Sequence, residues 1–173
     1  MRATSGLPQP RNSASIAAMK HILSAWLIVL IFCAAPARAE TAEIWSAEKA
    51  HRAALAREII LLDIRTPEEW AETGIGQGAW PISMHTKDFG SNIRAIISGN
   101  RGTPIALICA TGGRSDYLAG ILRSNGIGPV IDVGEGMMGS AHGGGWLKSG
   151  LPVTNAAAAA NAMPGDLILP DPE

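Results

Sequence analysis

The chain has 173 residues, of which 47% are hydrophobic and 17% charged, with a formal net charge of −1. These proportions are those of an ordinary globular protein of one domain. They lack the basic excess that a nucleic-acid partner requires.

From the N-terminus, Lys20 precedes an uncharged apolar stretch at 22–32, and Ala34-Ala35-Pro36-Ala37-Arg38-Ala39 follows it. This is the layout of a secretory signal peptide cleaved after Ala39, with Met19 as an alternative initiator. The stretch is shorter than the ~20 residues a membrane span needs, so no stable anchor is expected after cleavage. Loss of residues 1–39 leaves ten Lys and Arg against fifteen Asp and Glu, a charge of −5. It also removes Cys33, so Cys109 becomes the one cysteine of a periplasmic or secreted protein, without a disulfide partner and worth reading as reactive.

Periodic segments then alternate. Residues 46–57 predict a helix with Ala50, Ala54 and Leu55 on one side, and 59–64 an apolar strand. Thr66-Pro67-Glu68-Glu69 is a capping box with proline at the first helical position, predicting a short helix through Trp70. A second strand is expected at 80–84, a helix at 88–97 with Ile93, Ile96 and Ile97 inward, and a third strand at 104–108. A helix follows with Tyr117, Leu118, Ile121 and Leu122 on one face, then a strand at 129–133. Short apolar strands alternating with helices predict an α/β domain over 40–153, its central parallel sheet covered on both faces by helices. Trp45, Trp70, Trp80 and Trp146 are expected to anchor packing. Residues 154–173, rich in Ala and Pro, are expected to form a loose tail.

Ligands of such a sheet gather at the carboxyl ends of its strands, where Asp63, Arg65, His85 and Cys109 fall. The most informative segment is Cys109-Ala110-Thr111-Gly112-Gly113-Arg114-Ser115, a strand end running through small residues into a helix. Backbone N–H groups and the helix N-terminus converge there, and Arg114 adds a fixed cation, so the cysteine should favour its thiolate and the loop should cradle an anion. A cysteine, a glycine-rich loop and an arginine also describe cysteine phosphatases and arsenate reductases. Those phosphatases place one more residue between Cys and Arg than the four present here. The smaller ring suits a terminal sulfur on the cysteine better than a phosphoryl group.

Gly134-Glu135-Gly136-Met137-Met138-Gly139 matches a dinucleotide-binding fingerprint, but the glycine-rich continuation cannot open a helix, and a flexible loop beside the site is the better reading. His21, His51, His85 and His142 lack metal-ligand spacing, so no metal and no organic cofactor is expected. His85 alone stands where it could approach Cys109 as an acid or base. No Ser-His-Asp arrangement stands out.

With these residues in view, the chain resembles the single-domain rhodaneses, a sulfurtransferase family. The resemblance rests on Leu61-Leu62-Asp63-Ile64-Arg65-Thr66-Pro67-Glu68-Glu69-Trp70, on Cys109 to Ser115, and on Trp146 with Gly150-Leu151-Pro152-Val153. It implies a three-layer α/β fold and transfer of a sulfane sulfur from a small anionic donor such as thiosulfate to cyanide or a thiol, through a persulfide on Cys109. It further implies that Ala110, Thr111, Gly112, Gly113 and Arg114 cradle the sulfur, with Arg65 binding substrate or pairing structurally with Glu68 or Glu69, and Asp63 and Ser115 in support. A sulfur carrier for a periplasmic protein partner is the competing reading. The chain departs from the family at Gly74-Ile75-Gly76-Gln77-Gly78-Ala79, which lacks the usual histidine. It also carries an insertion at 138–145, expected as a lid or docking edge.

Overall fold

In the computed structural model, which describes residues 43–163, the apolar runs become the strands of a parallel sheet. Its strands are β1 (Glu43–Ile44), β2 (Ile60–Asp63), β4 (Ala79–Pro81), β5 (Ile105–Ile108) and β6 (Val130–Asp132), in the order β1-β6-β5-β2-β4. All four pairings are parallel. Every residue of β2, β5 and β6 is buried, which follows from a sheet covered on both faces.

Alternation along each strand sends side chains to two cores. On one face Leu61, Ala106, Ile108, Ile131 and Val133 pack against α1 (Ala47–Leu55), α5 (Gly145–Lys148) and α6 (Ala156–Asn161). On the other, Leu62, Ile64, Leu107, Cys109 and Val130 meet Ile93 and Ile96 of α3 (Phe89–Gly99) and Leu118, Ala119 and Leu122 of α4 (Gly113–Ser124). The carboxyl end of β5, with Cys109 after it, therefore sits over the α3 and α4 layer. The predicted capping box opens α2 (Pro67–Thr73): the Thr66 side chain accepts from Glu69 N and the Glu69 carboxylate from Thr66 N, at 3.3 and 3.0 Å. A two-stranded antiparallel ribbon, β3 (Ile75–Gly76) with β7 (Val153–Thr154), completes the fold.

Three sequence expectations are corrected. The buried stripe of α1 is Ala47, Ala50 and Ala53, while Leu55 is 54% exposed at the helix end. In α4 the stripe runs Ser115, Leu118, Ala119, Leu122, the spacing of one helical face. Tyr117 and Ile121 lie off it and are exposed, because phase rather than bulk selects the buried positions. The expected loose tail is folded where described. Asn155 caps α6, accepting from Ala158 N at 2.8 Å, and Ala159 is buried in the first core, so the domain continues past 153. The signal-like residues 1–39, with Cys33, and residues 164–173 lie outside the described residues.

Candidate active site

Cys109 follows β5 directly and is 1% exposed. The chain then turns through Ala110, Thr111 and Gly112 into α4. Gly112 has φ +86°, and a Cβ there would collide with the Gly134 carbonyl, so only glycine satisfies both the left-handed backbone and the close approach. The loop is braced from behind by the segment after β6. Met137 N donates to Cys109 O at 2.9 Å and Met138 N to Ala110 O at 2.8 Å. Gly136, at φ +65°, lies so near that a Cβ would stand 2.5 Å from Ala110 O. The glycine-rich 134–139 motif, expected as a flexible loop, is instead this brace. Met137, fully buried, fixes it in the core.

With two loop carbonyls turned to the brace, the N–H groups are left for the other side. Among the described residues, none of the backbone N–H groups from Ala110 to Ser115 donates to a protein acceptor. Successive free N–H groups around a turn form a concave anion site, and the N-terminus of the twelve-residue α4 adds its partial positive charge. Ser115, fully buried, sets its Oγ 3.5 Å from Cys109 Sγ and donates to Gly112 O at 2.9 Å, closing the ring from below.

Arg114 does not stand free over this ring. Its guanidinium donates to both carboxylate oxygens of Glu69, at 2.8 and 2.5 Å, a two-pronged pair bridging α4 and α2. Hydrogen bonding from Arg114 chiefly, with the Thr66 N–H and the charges of Arg114 and Arg65, lowers the Glu69 carboxyl to about 2. Sequence reasoning placed Glu69 only in the cap or beside Arg65. Its position on the first turn after β2, at the same sheet end as Cys109, is the signal that it faces the site. Exposed His85 brings Nε2 to 3.5 Å from Arg114 Nη1, so its partner at the rim is Arg114.

Of the two roles open to Arg65, substrate binding or a structural pair with Glu68 or Glu69, the structure shows a structural pair, but its carboxylate partner is Asp63. Arg65 is 1% exposed, and Nε and Nη2 donate to the Asp63 carboxylate at 2.9, 3.1 and 2.7 Å. The remaining donors go to Thr73 Oγ1 and Gly74 O, both at 2.7 Å, and to Glu69 O at 3.3 Å. Every guanidinium direction is used inside the protein, and Asp63 is fully buried with it. The pair ties the end of β2 to the end of α2, which carries Glu69 to Arg114.

Comparison with known proteins agrees with this architecture. The model of the rhodanese-like domain matches residues 46–141. An uncharacterised protein of Rickettsia prowazekii is 29% identical over 98 residues, covering 53% of this chain and 80% of its own. A thiosulfate sulfurtransferase from Pseudomonas aeruginosa shares the fold at a TM-score of 0.53 and 22% identity, over 66% of this chain and 20% of that one. A rhodanese-like domain protein from Staphylococcus aureus aligns over 65% of this chain and 99% of its own, at 24% identity and a TM-score of 0.47. With the family model spanning more than half its length and a six-residue cysteine loop at the end of a parallel strand, the chain belongs to the rhodanese-like domain family.

Proposed function

We propose that the protein is a sulfurtransferase of exported type that carries a sulfane sulfur on Cys109. The Cys109 thiolate attacks the outer sulfur of a donor such as thiosulfate; the donor S–S bond breaks and sulfite leaves with its electron pair. The persulfide then yields its outer sulfur to cyanide or a thiolate, and the Cys109 thiolate is restored. This is covalent catalysis in which the protein supplies the nucleophile and a fixed set of donors for the negative sulfur. The observation that carries the reading is the run of N–H groups from Ala110 to Ser115, without an acceptor among the described residues, around one buried cysteine. The ring spans four residues between Cys109 and Arg114, matched to a terminal sulfur more than to a phosphoryl group. Thiocyanate formation from thiosulfate and cyanide that disappears in Cys109→Ser tests it; activity surviving that change contradicts it.

A second reading, a carrier that releases sulfur only to a periplasmic protein thiol, draws on the Glu69 clamp. With its guanidinium neutralised, Arg114 attracts a doubly charged small donor less than a free arginine would. Met138, next to the braced loop and 56% exposed, gives a protein acceptor an apolar contact. The signal-like leader supports export.

A further inference from the structure

An anionic reactant meets little net positive charge from Arg114 at the mouth of the cysteine loop. Arg114 gives Nη1 and Nη2 to the Glu69 carboxylate, at 2.8 and 2.5 Å, and the pair is neutral as a unit. Cys109 is itself negative as the attacking thiolate, so a second anion approaches against repulsion.

His85 is the group that can change this balance. It lies exposed on the segment between β4 and α3, and that segment is pinned at the sheet edge. Ile82 N donates to Asp63 O at 3.0 Å, Met84 N to Ile64 O at 3.2 Å, and His85 N to the Oγ of buried Ser83 at 3.3 Å. His85 Nε2 is thereby held 3.5 Å from Arg114 Nη1, the same nitrogen that donates to Glu69. A guanidinium has donors and no acceptor, so this contact requires a neutral imidazole with its proton on Nδ1. A protonated imidazole loses the contact and places a new positive charge beside an arginine already neutralised. The charged groups around His85 are Arg114 of α4, Glu68 and Glu69 of α2, and Lys87 and Asp88 of its own segment, with Cys109 deeper in the loop. Histidine, apart from an activated cysteine, is the one of these residue types that ordinarily changes charge between about pH 5 and 8.

We propose that His85 is a specificity-determining residue, its charge deciding whether the loop admits an anionic sulfur donor. Protonated, it offsets the thiolate and draws a thiosulfate-like dianion to the mouth. Neutral, it accepts from Arg114 and leaves the mouth to uncharged donors such as organic trisulfides. The inference rests on the reading of Cys109 as the nucleophile, but its test uses no sulfur donor, so failed sulfur transfer and failed charge selection are separable.

The test is the rate of Cys109 alkylation by iodoacetate and by iodoacetamide across about pH 6 to about pH 8, followed by peptide mass in the full-length protein. The thiolate displaces iodide from either reagent, so the thiolate fraction cancels in the ratio of the two rates and the charge of the reagent remains. In the wild type the iodoacetate to iodoacetamide ratio is expected to rise on the order of three- to tenfold as pH falls through this range. His85→Gln, which keeps an acceptor for Arg114 and cannot ionise, should hold the ratio low and flat; His85→Lys should hold it high and flat. His142, whose Cδ2 would stand 3.1 Å from a Cβ at Gly134 behind the loop, is the control histidine, and His142→Gln should keep the wild-type slope. A flat wild-type ratio overturns the proposal, as does a slope that survives in His85→Gln or vanishes in His142→Gln. A Cys109 that neither reagent modifies overturns it too, whatever that cysteine does with thiosulfate. The expected slopes without persulfide formation would keep the charge selection and remove the sulfurtransferase reading.

Discussion

Glu69 accepts from both guanidinium nitrogens of Arg114 while its second role, accepting from Thr66 N, caps α2. Glu69→Gln keeps a capping side chain but gives up the charge. The expected result is a lower KM for thiosulfate, roughly three- to tenfold, as Arg114 regains its attraction for a doubly charged donor; an unchanged or higher KM would show that the clamp does not set donor charge. The same carboxylate predicts acid sensitivity. Its folded value, about 2, lies below the ordinary 4.5, so its stabilisation is complete above the ordinary value and is lost as pH falls from there toward 2. Because the pair is partly solvated, the loss should be on the order of 1 kcal/mol, read as a steeper fall of the denaturation midpoint below about pH 5 in wild type than in Glu69→Gln. Arg65 behaves differently. Arg65→Ala strands the buried Asp63 carboxylate and should cost about 3–5 kcal/mol in urea unfolding. A near-neutral effect would return Arg65 to the candidate ligands.

At the scale of elements, the brace between β6 and α5 decides whether the cysteine loop keeps its shape. Gly136→Ala forces a Cβ against Ala110 O and a side chain into a left-handed backbone. Persulfide formation should fall by on the order of tenfold or more, while circular dichroism keeps the native helix and strand content; full activity would remove the brace from the account. The elements themselves were largely legible. Thr66-Pro67-Glu68-Glu69 and the continuous apolar strands state their structure locally, and the Cys109 loop is compact in sequence. The brace was not legible, since 134–139 meets the loop through backbone hydrogen bonds that glycine composition alone reads as flexibility. Arg65 was ambiguous for a similar reason: whether a strand-end arginine turns outward or into Asp63 depends on Thr73 and Gly74, brought to it only by the fold of α2.

Across the whole domain, two cores hold one parallel sheet, and the site occupies its carboxyl edge. The C-terminal boundary was misjudged because an alanine run has little bulk to announce burial. Yet Ala159 packs into the first core, and β7 pairs with β3. Truncation after Thr154 should therefore destabilise the domain by about 1–2 kcal/mol in denaturant unfolding. An unchanged midpoint would mean that α6 is a passive appendage.

The central claim is that Cys109 carries sulfur, and intact mass spectrometry after brief exposure to thiosulfate tests it most directly. The account predicts a gain of about 32 Da, one sulfur atom, that requires Cys109 and is removed by cyanide with release of thiocyanate. No gain with thiosulfate or any other sulfane donor, or an equal gain in Cys109→Ser, would contradict it.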